Sequence, residues 1–416
     1  MKEVTSVVVV GSGIVGLSTA WHLLREGVSV TIVEQSSVAA GASYGNAGWI
    51  SPGLATPLPE PSVIKFGIKS LTDRDSPLYI PPTTDGAIMT FAARFARNCT
   101  RSRWNTSMKA LLPLNEGAIE GYEEISSQSN HQDGLRAKEA PILAAFYSKS
   151  DASALKEELA DIVISGGTIK SQELSGSDLA GQYPYLNPNV SFAISLLGQR
   201  FIDPYRYCLS LADEVTALGG ELRFGERVLG VEPTHSGATT RLSNGETVTS
   251  DAVVIATGAW TSTLAKSLGV KVSQAAGRGY SFWAASEEQI DHPIYFPAQR
   301  IACTPLDNGL RVAGTMEITG TLEAYDSRRV DAIVKSARGL LKGVNLEERK
   351  HEWVGPRPIT EDGLPLIGPT KSENIWVAAG HGMWGVTYGP ITGRLVAQAL
   401  TSKRLPSTLR PFSPLR

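Results

Sequence analysis

The sequence predicts an α/β fold in which a domain built on a parallel sheet is interleaved with an α+β domain built on an antiparallel sheet. A strand–turn–helix–strand unit opens the chain, and a glycine-rich segment follows a short apolar strand near its end. Between these two regions lie several runs typical of antiparallel strands. With 416 residues, the chain is long enough for two or three domains.

The opening segment contains the glycine pattern of a dinucleotide-binding turn. Ser6–Val10 is a continuous apolar run that is short enough for a buried strand. The sequence G-S-G-I-V-G follows directly, from Gly11 to Gly16, and Leu17–Leu24 then carries apolar residues at helical spacing. Such glycines let the backbone approach a pyrophosphate, and the N-terminus of the helix directs its amides at it.

An acidic residue stands where this kind of unit binds a ribose. Gly27 ends the helix, Val28–Val33 forms a second strand, and Glu34 follows it, 18 residues after Gly16. An acid at this position accepts hydrogen bonds from ribose hydroxyls. A glycine turn that only packs helix on strand would not explain Glu34. We therefore predict a Rossmann-like dinucleotide-binding domain.

The segment Trp353–Tyr388 predicts a second boundary of the same site. Arg357 stands in the run G-P-R-P, where the flanking prolines restrict its backbone and so aim its side chain. Ile375–Ala378 is a short apolar strand that runs into G-H-G-M-W-G. Glycines let a backbone come close to a flat ligand, and a helix that begins after them directs its amides at it. We expect this segment to close a cofactor site from the C-terminal side.

A third strand favours FAD over a nicotinamide cofactor. Asp251–Trp260 reads as a strand that ends in an A-T-G turn, after the hairpin-like run T-T-R-L-S-N-G-E-T-V-T. In flavoproteins of this general build, such a strand approaches the cofactor again. An NAD dehydrogenase would normally need neither this turn nor a closing glycine segment. The acid Glu34, without a nearby arginine, also argues against a 2′-phosphate.

Four stretches of the chain resemble the FAD-dependent D-amino acid dehydrogenases, within the wider group of D-amino acid and glycine oxidases. They are V-V-G-S-G-I-V-G with Glu34-Gln35, A-S-Y-G-N-A-G-W-I-S-P-G from Ala42, R-G-Y-S from Arg278, and the C-terminal segment. A weaker similarity includes S-P-L-Y-I-P-P and A-R-N-C-T. The chain departs from the family pattern at Met383-Trp384, at Arg278, where lysine is common, and at Asp203-Pro204-Tyr205-Arg206-Tyr207.

The resemblance implies a bound FAD, which we expect to be non-covalent because none of the cysteines falls in the glycine segments. The predicted FAD contacts are Gly11, Gly13, Ile14, Val15, Gly16, Glu34, Gln35, Ala42, Ser43, Asn46, Ala47, Gly48, Val228, Thr257, Gly258, Gly355, Gly380, Gly382, Met383, Gly385, Val386 and Thr387.

The resemblance also implies substrate roles for Arg357, Tyr280 and His381. In similar oxidases the arginine of G-x-R-P faces the substrate carboxylate, which a planar bidentate donor suits. A structural pairing of Arg357 with Glu361 or Asp362 is the alternative. Tyr280 would complete the carboxylate site, or would be an ordinary strand aromatic. His381 would serve as an acid–base group, or would contact the flavin or pack against it.

These features predict oxidation of a small D-amino acid or cyclic D-imino acid, such as D-alanine, D-proline or hydroxy-D-proline. The substrate carbon would transfer a hydride to FAD, and the resulting imine would hydrolyse to a 2-oxo acid and ammonia. Two alternatives stay open: a sarcosine- or glycine-type amine oxidase that uses oxygen, and a FAD-containing subunit of a larger dehydrogenase complex. A quinone, oxygen or a partner flavoprotein would accept the electrons.

Composition argues against several other classes of protein. The net charge of −2 offers no footprint for nucleic acid. Cys99, Cys208 and Cys303 lie far apart without a C-x-x-C pair, which predicts a reducing compartment and no metal site. The apolar start contains the glycine turn and is therefore not a signal peptide, and no run reaches the length of a membrane span. We expect a cytoplasmic enzyme, either free or attached peripherally to the inner face of the cell membrane.

The two domains are predicted to exchange segments along the chain. Residues 1–55, 198–265 and 352–416 would form the FAD-binding domain, and residues 56–197 and 266–351 the substrate-binding domain with a helical excursion. The other predicted elements are a proline-rich surface excursion at Leu54–Pro82, helices at Ile88–Gln128, Ala152–Ser165, Asp203–Leu218 and Ser327–Leu341, and strands at Ile142–Tyr147, Glu221–Phe224, Val270–Trp283, Ile294–Thr304 and Leu310–Met316.

Overall fold

The fold is described from a computed structural model, which covers residues 3–63, 78–81, 83–319, 322 and 324–416. Its helices are α1 (Ile14–Arg25), α2 (Gly86–Asn98), α3 (Arg101–Gln128), α4 (Gln132–Leu135), α5 (Ser153–Ile164), α6 (Gly176–Gln182), α7 (Pro204–Ala217), α8 (Thr261–Ala265), α9 (Ser327–Ala337) and α10 (Gly385–Ser402). Its strands are β1 (Ser6–Val10), β2 (Ser29–Glu34), β3 (Trp49–Ile50), β4 (Leu78–Tyr79), β5 (Lys138–Glu139), β6 (Ile142–Phe146), β7 (Lys170–Ser175), β8 (Phe192–Leu197), β9 (Arg200–Phe201), β10 (Glu221–Phe224), β11 (Val228–Pro233), β12 (Ala238–Leu242), β13 (Thr247–Ser250), β14 (Ala252–Ile255), β15 (Gln274–Ser286), β16 (Ile294–Phe296), β17 (Ile301–Leu306), β18 (Gly309–Thr319), β19 (Val344–Thr360), β20 (Leu366–Pro369) and β21 (Ile375–Ala379).

The first layer of the molecule is a sheet with the strand order β10-β2-β1-β14-β21-β20. Neighbouring strands are parallel except for β20, which runs antiparallel to β21. Val7 and Val9 of β1 pack in the cluster formed with α1, α7 and α10, whereas Val8 and Val10 pack with residues of the β11–β13 sheet. Burial on both faces explains why this strand is a continuous apolar run.

The second layer is a mixed sheet with the order β19-β15-β18-β17-β16-β6-β8-β7, and β4 pairs with β18. Its pairs are antiparallel except β16 with β6 and β18 with β4. One face packs on α9. The other face meets the segment 44–49, because Ser281 Oγ donates to the Gly45 carbonyl at 2.8 Å and Thr304 Oγ1 to the Ala47 carbonyl at 2.6 Å. The predicted fold class is confirmed.

Two predicted elements are wrong in extent. The single helix predicted for Ile88–Gln128 is two helices, because Thr100 takes an extended backbone and its hydroxyl accepts from the Arg103 amide at 3.4 Å, which caps a new helix. The strand predicted for Ile294–Thr304 is β16 and β17, joined by a turn in which Arg300 has a φ of 56°.

Smaller differences concern the ends of elements. The helix predicted for Ser327–Leu341 ends at Ala337, just before Gly339 with its φ of 76°. The strand predicted for Val270–Trp283 is β15, which begins later and extends to Ser286. Much of the Leu54–Pro82 excursion, and parts of S-P-L-Y-I-P-P, lie outside the described residues. The domain boundaries stay a prediction.

Candidate functional site

A cleft opens at the carboxyl ends of β1, β2 and β14 and extends to β19. In open parallel sheets this edge is where ligands bind. The predicted residues that line the cleft are Gly11, Gly13, Ile14, Val15, Glu34, Gln35, Ala42, Ser43, Asn46, Val228, Thr257, Gly258, Arg357, His381, Gly382, Gly385 and Val386. The fold therefore brings segments from both ends and the middle of the chain to one site.

The glycine turn leaves the N-terminus of α1 open to the cleft. Gly11 has a φ of 106°, and a Cβ there would lie 2.8 Å from the Ala256 carbonyl oxygen. A Cβ at Gly16 would overlap the carbonyl of Gly11, so the helix can approach the turn only with glycine. The N-cap residue of α1 is Gly13, which has no side chain to cap the helix. The amide of Ile14 donates to Ser43 Oγ at 3.2 Å, and the next amides of the helix are placed for an anionic ligand such as a pyrophosphate.

Glu34 is fixed at the edge of the cleft by the backbone around it. Its Oε2 accepts from the Ser12 amide at 2.9 Å and from Ser12 Oγ at 3.1 Å, and its Oε1 accepts from the Ser36 amide at 3.0 Å. The carboxylate therefore has one defined position beside the turn. Its predicted bond to a ribose stays a prediction.

The C-terminal glycine segment is tied to the strand that carries Arg357. The amide of Gly382 donates to the carbonyl of Pro358 at 3.0 Å. Gly385 and Val386 line the cleft at the start of α10, whose N-cap Trp384 provides no side-chain cap. The cleft is thus lined by the N-termini of α1 and α10 and by the carboxylate at the end of β2. This arrangement fits a dinucleotide that carries a flat ring system.

Arg357 supplies a positive charge to this cleft. It pairs with Gly277 across β15 and β19, and its guanidinium lies against Gly279, where a Cβ would overlap it. Within the described part of the chain it makes no hydrogen bond or salt bridge. Burial lowers the pKa of Arg357 to about 10, so the side chain is cationic at neutral pH.

The carboxylates considered as structural partners of Arg357 bind other groups. Glu361 accepts from Arg94 at 3.4 Å and from the Ser273 amide at 3.2 Å. Asp362 forms a salt bridge with Arg416 at 2.7 Å. Arg357 is therefore a cation that faces a cleft and is not neutralised by either acid.

Tyr280 lies on the opposite face of β15 from Arg357, because successive residues of a strand point to opposite faces. Its side chain is fully buried, and its hydroxyl donates to Glu317 at 3.2 Å. Glu317 also forms a buried salt bridge with Arg278 at 2.7 Å. This placement corrects the expectation that Tyr280 completes a carboxylate site beside Arg357.

His381 lies in the wall of the cleft as a buried, neutral side chain. Its Nε2 is 3.0 Å from the hydroxyl of Thr392 in α10. Burial lowers the pKa of His381 to about 3, so the imidazole is uncharged near neutral pH and is a weak base. The packing or flavin-contact interpretation fits this geometry better than acid–base chemistry.

Several predicted contacts are not among the residues that line the cleft. They are Gly16, Ala47, Gly48, Gly355, Gly380, Met383 and Thr387, none of which lines the described cleft. Gly48 is required by packing, since it has a φ of 80° and a Cβ would overlap the carbonyl of Ile202. Gly355 is covered by the indole of Trp353. Such glycines shape the site through backbone packing, which a motif alone does not distinguish from ligand contact.

Sequence reasoning missed other residues of the lining. They include Ala40, Gly41, Glu226, Arg227, Ala256, Trp260, Pro356 and Pro358. Most are immediate neighbours of predicted contacts, such as Trp260 just after the A-T-G turn. Extending each motif by two residues would have found them.

The described residues contain neither a metal-binding cluster nor a membrane-spanning helix. No group of three or more His, Cys, Asp or Glu side chains there is placed to hold a metal ion. No helix in the same residues is long and apolar enough to cross a bilayer.

Comparisons with known proteins agree with this geometry. The chain is 26% identical over 404 residues to a D-amino acid dehydrogenase of Vibrio vulnificus, a match that covers 95% of this chain and 96% of the relative. The crystal structure of glycine oxidase from Geobacillus kaustophilus superposes with a TM-score of 0.72 at 22% identity, and the match covers 99% and 98% of the two chains. Iminodiacetate oxidase from Chelativorans sp. BNC1 gives a TM-score of 0.72 at 19% identity and 98% coverage of both chains.

A family model settles the class of enzyme. The model described as FAD dependent oxidoreductase matches residues 6–399, nearly the whole chain. The matched range contains both the glycine turn and the C-terminal segment that closes the cleft. The protein belongs to the FAD-dependent oxidoreductase family, and FAD is its cofactor.

Proposed function

We propose that this enzyme oxidises the C–N bond of a small D-amino acid or cyclic D-imino acid. The observation that carries the proposal is Arg357, a cation that lines the cofactor cleft without a partner in the described chain. A substrate carboxylate would supply the negative charge that this side chain lacks. Charge-assisted bidentate bonds of this kind fix orientation as well as affinity.

The glycines around Arg357 leave space for its guanidinium and for neighbouring side chains. Gly277 and Gly279 of β15 stand opposite Arg357 and Gly355 of β19. The guanidinium lies on Gly279, whereas Gly277 is covered by Ile359 and Gly355 by the indole of Trp353. A side chain at position 279 would displace the guanidinium, so Gly279 supports the position from which Arg357 would bind a substrate carboxylate.

Within this proposal the chain binds and orients, and the cofactor carries the redox step. FAD, when bound, accepts two electrons as the C–N single bond of the substrate becomes a double bond. Arg357 would hold the carboxylate and thereby fix the reacting carbon relative to the cleft. His381 would keep the wall of the cleft neutral. Water would then hydrolyse the imine to a 2-oxo acid and ammonia. If the imine is cyclic, hydrolysis would open the ring and give a 2-oxo acid that keeps its amino group.

The preference for the D configuration is supported by the Vibrio vulnificus relative named D-amino acid dehydrogenase. A second candidate, oxidation of glycine or a secondary amine acid with oxygen, is supported by the structural likeness to glycine oxidase and iminodiacetate oxidase. Both candidates require a carboxylate-binding arginine. They differ in the substituents on the reacting carbon and nitrogen, and in the electron acceptor.

Anaerobic titration of the purified holoenzyme tests the proposal. D-alanine, D-proline and hydroxy-D-proline should bleach the flavin absorbance, while their L-enantiomers leave it unchanged. Bleaching by sarcosine or glycine with no response to the D-amino acids would favour the second candidate. No bleaching by any carboxylate-bearing amine would contradict both and favour a FAD-containing subunit whose partner does the chemistry.

We also propose that FAD is held without a covalent bond. Cys99, Cys208 and Cys303 are all buried, and none lines the cleft. Burial raises the pKa of the Cys99 thiol to about 11 and that of Cys303 to about 12, which disfavours their reactive thiolates. Acid precipitation should therefore leave the yellow colour in the supernatant. Colour retained in the pellet would contradict this.

A further inference from the structure

Arg311 is a buried cation that the carboxylates of the described chain do not neutralise. It lies on β18 and is 7% exposed. Its Nη1 donates to Ser281 Oγ at 3.4 Å, and its Nε has no hydrogen-bond partner. No salt bridge joins it to a carboxylate of the residues that the structure describes. A single long hydrogen bond is little compensation for removing a guanidinium from water.

Arg311 lies beneath the segment 44–48, which passes beside the cofactor cleft. Its Cζ is 5.9 Å from the centroid of the Tyr44 ring. Ser281, its hydrogen-bond partner, also donates to the Gly45 carbonyl at 2.8 Å. Thr304, which pairs with Arg311 across β17 and β18, donates to the Ala47 carbonyl at 2.6 Å. The guanidinium is thus placed among the bonds that hold this segment on the sheet.

The same segment contributes to the wall of the FAD site. Asn46 lines the cleft, and its Oδ1 accepts from the Gly48 amide at 2.9 Å, which fixes the turn. Arg311 therefore stands one layer behind a cleft-lining residue, in a region from which water is largely excluded. A charge in such a region acts over a longer distance than the same charge at the surface.

The protein groups near Arg311 offset only part of the free energy that its cation loses on burial. Burial lowers the pKa of Arg311, while Asp203 and Tyr44 act in the opposite direction. Asp203 is not within salt-bridge distance of Arg311. Its carboxylate caps α7 by accepting from the amides of Tyr205 and Arg206. A cation–π contact with Tyr44 recovers a small part of the lost hydration. The site therefore favours additional negative charge near Arg311.

We propose that Arg311 raises the electron affinity of the bound FAD by stabilising the negative charge that the flavin gains on reduction. Arg311 is then a positioning and electrostatic residue that acts across the segment 44–48, and it does not touch the substrate. The inference holds whichever amine the enzyme oxidises. It rests on FAD binding and on the placement of one buried charge.

The test compares the reduction potential of FAD bound to Arg311→Met, Arg311→Lys and the unmodified holoenzyme. Arg311→Met removes the charge and keeps the bulk, so the equilibrium for two-electron reduction should fall about tenfold, a shift of about 30 mV to more negative potential. Arg311→Lys should stay close to the unmodified enzyme. Arg338→Met is the matched control, because Arg338 has a side chain 64% exposed and pairs with Glu347 at the surface.

Sulfite binding gives a second readout that does not depend on turnover. Sulfite adds reversibly to oxidised flavin and leaves a negative charge on the ring system, so the same cation should stabilise the adduct. Arg311→Met should weaken sulfite binding about tenfold, and Arg338→Met should not change it. An unchanged potential and unchanged sulfite affinity in Arg311→Met would overturn the proposal.

Ser281→Ala separates the charge from the anchoring of the segment. This variant removes the bond to the Gly45 carbonyl and the hydrogen-bond partner of Arg311, but it keeps the cation. It should weaken FAD binding and leave the potential nearly unchanged. If Arg311→Met behaves in the same way, with weaker FAD binding at an unchanged potential, Arg311 is only structural and the proposal is wrong.

Asp203→Asn keeps the proposal testable if Arg311→Met does not fold. Asp203→Asn removes the negative charge near Arg311 while asparagine still caps α7. The field of Arg311 at the flavin would then be less offset, so the potential should become more positive. An unchanged or more negative potential in Asp203→Asn would contradict the proposal.

Discussion

The two walls of the cleft are built in different ways. The wall formed by the glycine turn comes from one short stretch of sequence, Gly11 to Glu34, and presents backbone amides and one carboxylate. The wall that carries Arg357 depends on the pairing of β15 with β19, which brings together Gly279 and Arg357 from distant parts of the chain. The first wall holds the cofactor through local backbone geometry, and the second presents one aimed side chain. Changes in the two walls should therefore have separable effects.

The largest effect is expected from Gly16→Ala in the first wall. The new Cβ would overlap the carbonyl of Gly11, and since both groups are backbone, α1 must move away from the turn. The variant should lose bound FAD almost completely, as measured by flavin absorbance per protein after purification. Gly181→Ala is the control, because its Cβ meets nothing within 4 Å and it lies in helix α6, where alanine is favoured, so this variant should keep its FAD. Full flavin content in Gly16→Ala would contradict this account of the turn.

The matching change in the second wall is Gly279→Ala. Its Cβ would overlap the guanidinium of Arg357, a flexible side-chain end that can move aside. FAD should be retained, while the misplaced guanidinium lowers kcat/KM about a hundredfold, a loss of about 3 kcal/mol in transition-state stabilisation. Gly86→Ala, whose Cβ meets open space, should change neither quantity. Loss of FAD from Gly279→Ala would mean that the two walls are not separable.

A smaller effect is expected from Glu34→Ala. The change removes the predicted acceptor for ribose hydroxyls, and charge-assisted hydrogen bonds are worth about 1.5–3 kcal/mol, so FAD should bind at least about tenfold more weakly. Equilibrium dialysis measures the affinity, and Glu232→Ala, an exposed acid elsewhere in the chain, is the control. Equal FAD affinity in the two variants would exclude Glu34 from cofactor binding.

The smallest effect concerns stability at low pH. Burial lowers the pKa of His22 and of His381 to about 3. Between about pH 6.5 and pH 3 the unfolded chain therefore binds protons that the folded chain excludes, so stability should fall as the pH drops through this window. His22→Gln should reduce the loss of unfolding free energy between pH 7 and pH 5 by about 2 kcal/mol, measured by urea denaturation. His235→Gln, at an exposed position, should leave the loss unchanged, and an equal response of both variants would contradict the assignment.

The comparison of the walls also explains what the sequence could predict. Local sequence patterns predict the strand Ser6–Val10, the glycine turn and the position of Glu34, because apolar runs, turns and caps depend on neighbours in sequence. The placement of Tyr280 could not be predicted in this way, since its face of β15 is set by pairing with β18 and β19. The same holds for the break between α2 and α3, where the cap at Thr100 outweighs helical spacing.

The burial of Arg311 could not be predicted from the sequence either. Nothing around it in sequence marks it as unusual, and only the stacking of segment 44–48 on the mixed sheet reveals a buried cation. The flanking prolines and glycine mark Arg357 in the sequence. Its lack of a partner, however, is visible only in the tertiary structure. Motifs thus locate the cofactor wall well and the substrate wall only in outline.

We propose that Arg357 binds the substrate carboxylate and that the wall formed by the glycine turn binds the cofactor. The most direct test is the rate of anaerobic flavin reduction in the unmodified enzyme and in Arg357→Ala, measured with an amino acid substrate and with the corresponding amine that lacks the carboxylate. Arg357→Ala should keep its FAD, lose about 3 kcal/mol or more of transition-state stabilisation with the amino acid, roughly a hundredfold, and lose little with the amine. Arg357→Lys should fall between, because it keeps the charge without the planar fork. An equal loss with both substrates, or undiminished reduction by the amino acid, would contradict the claim.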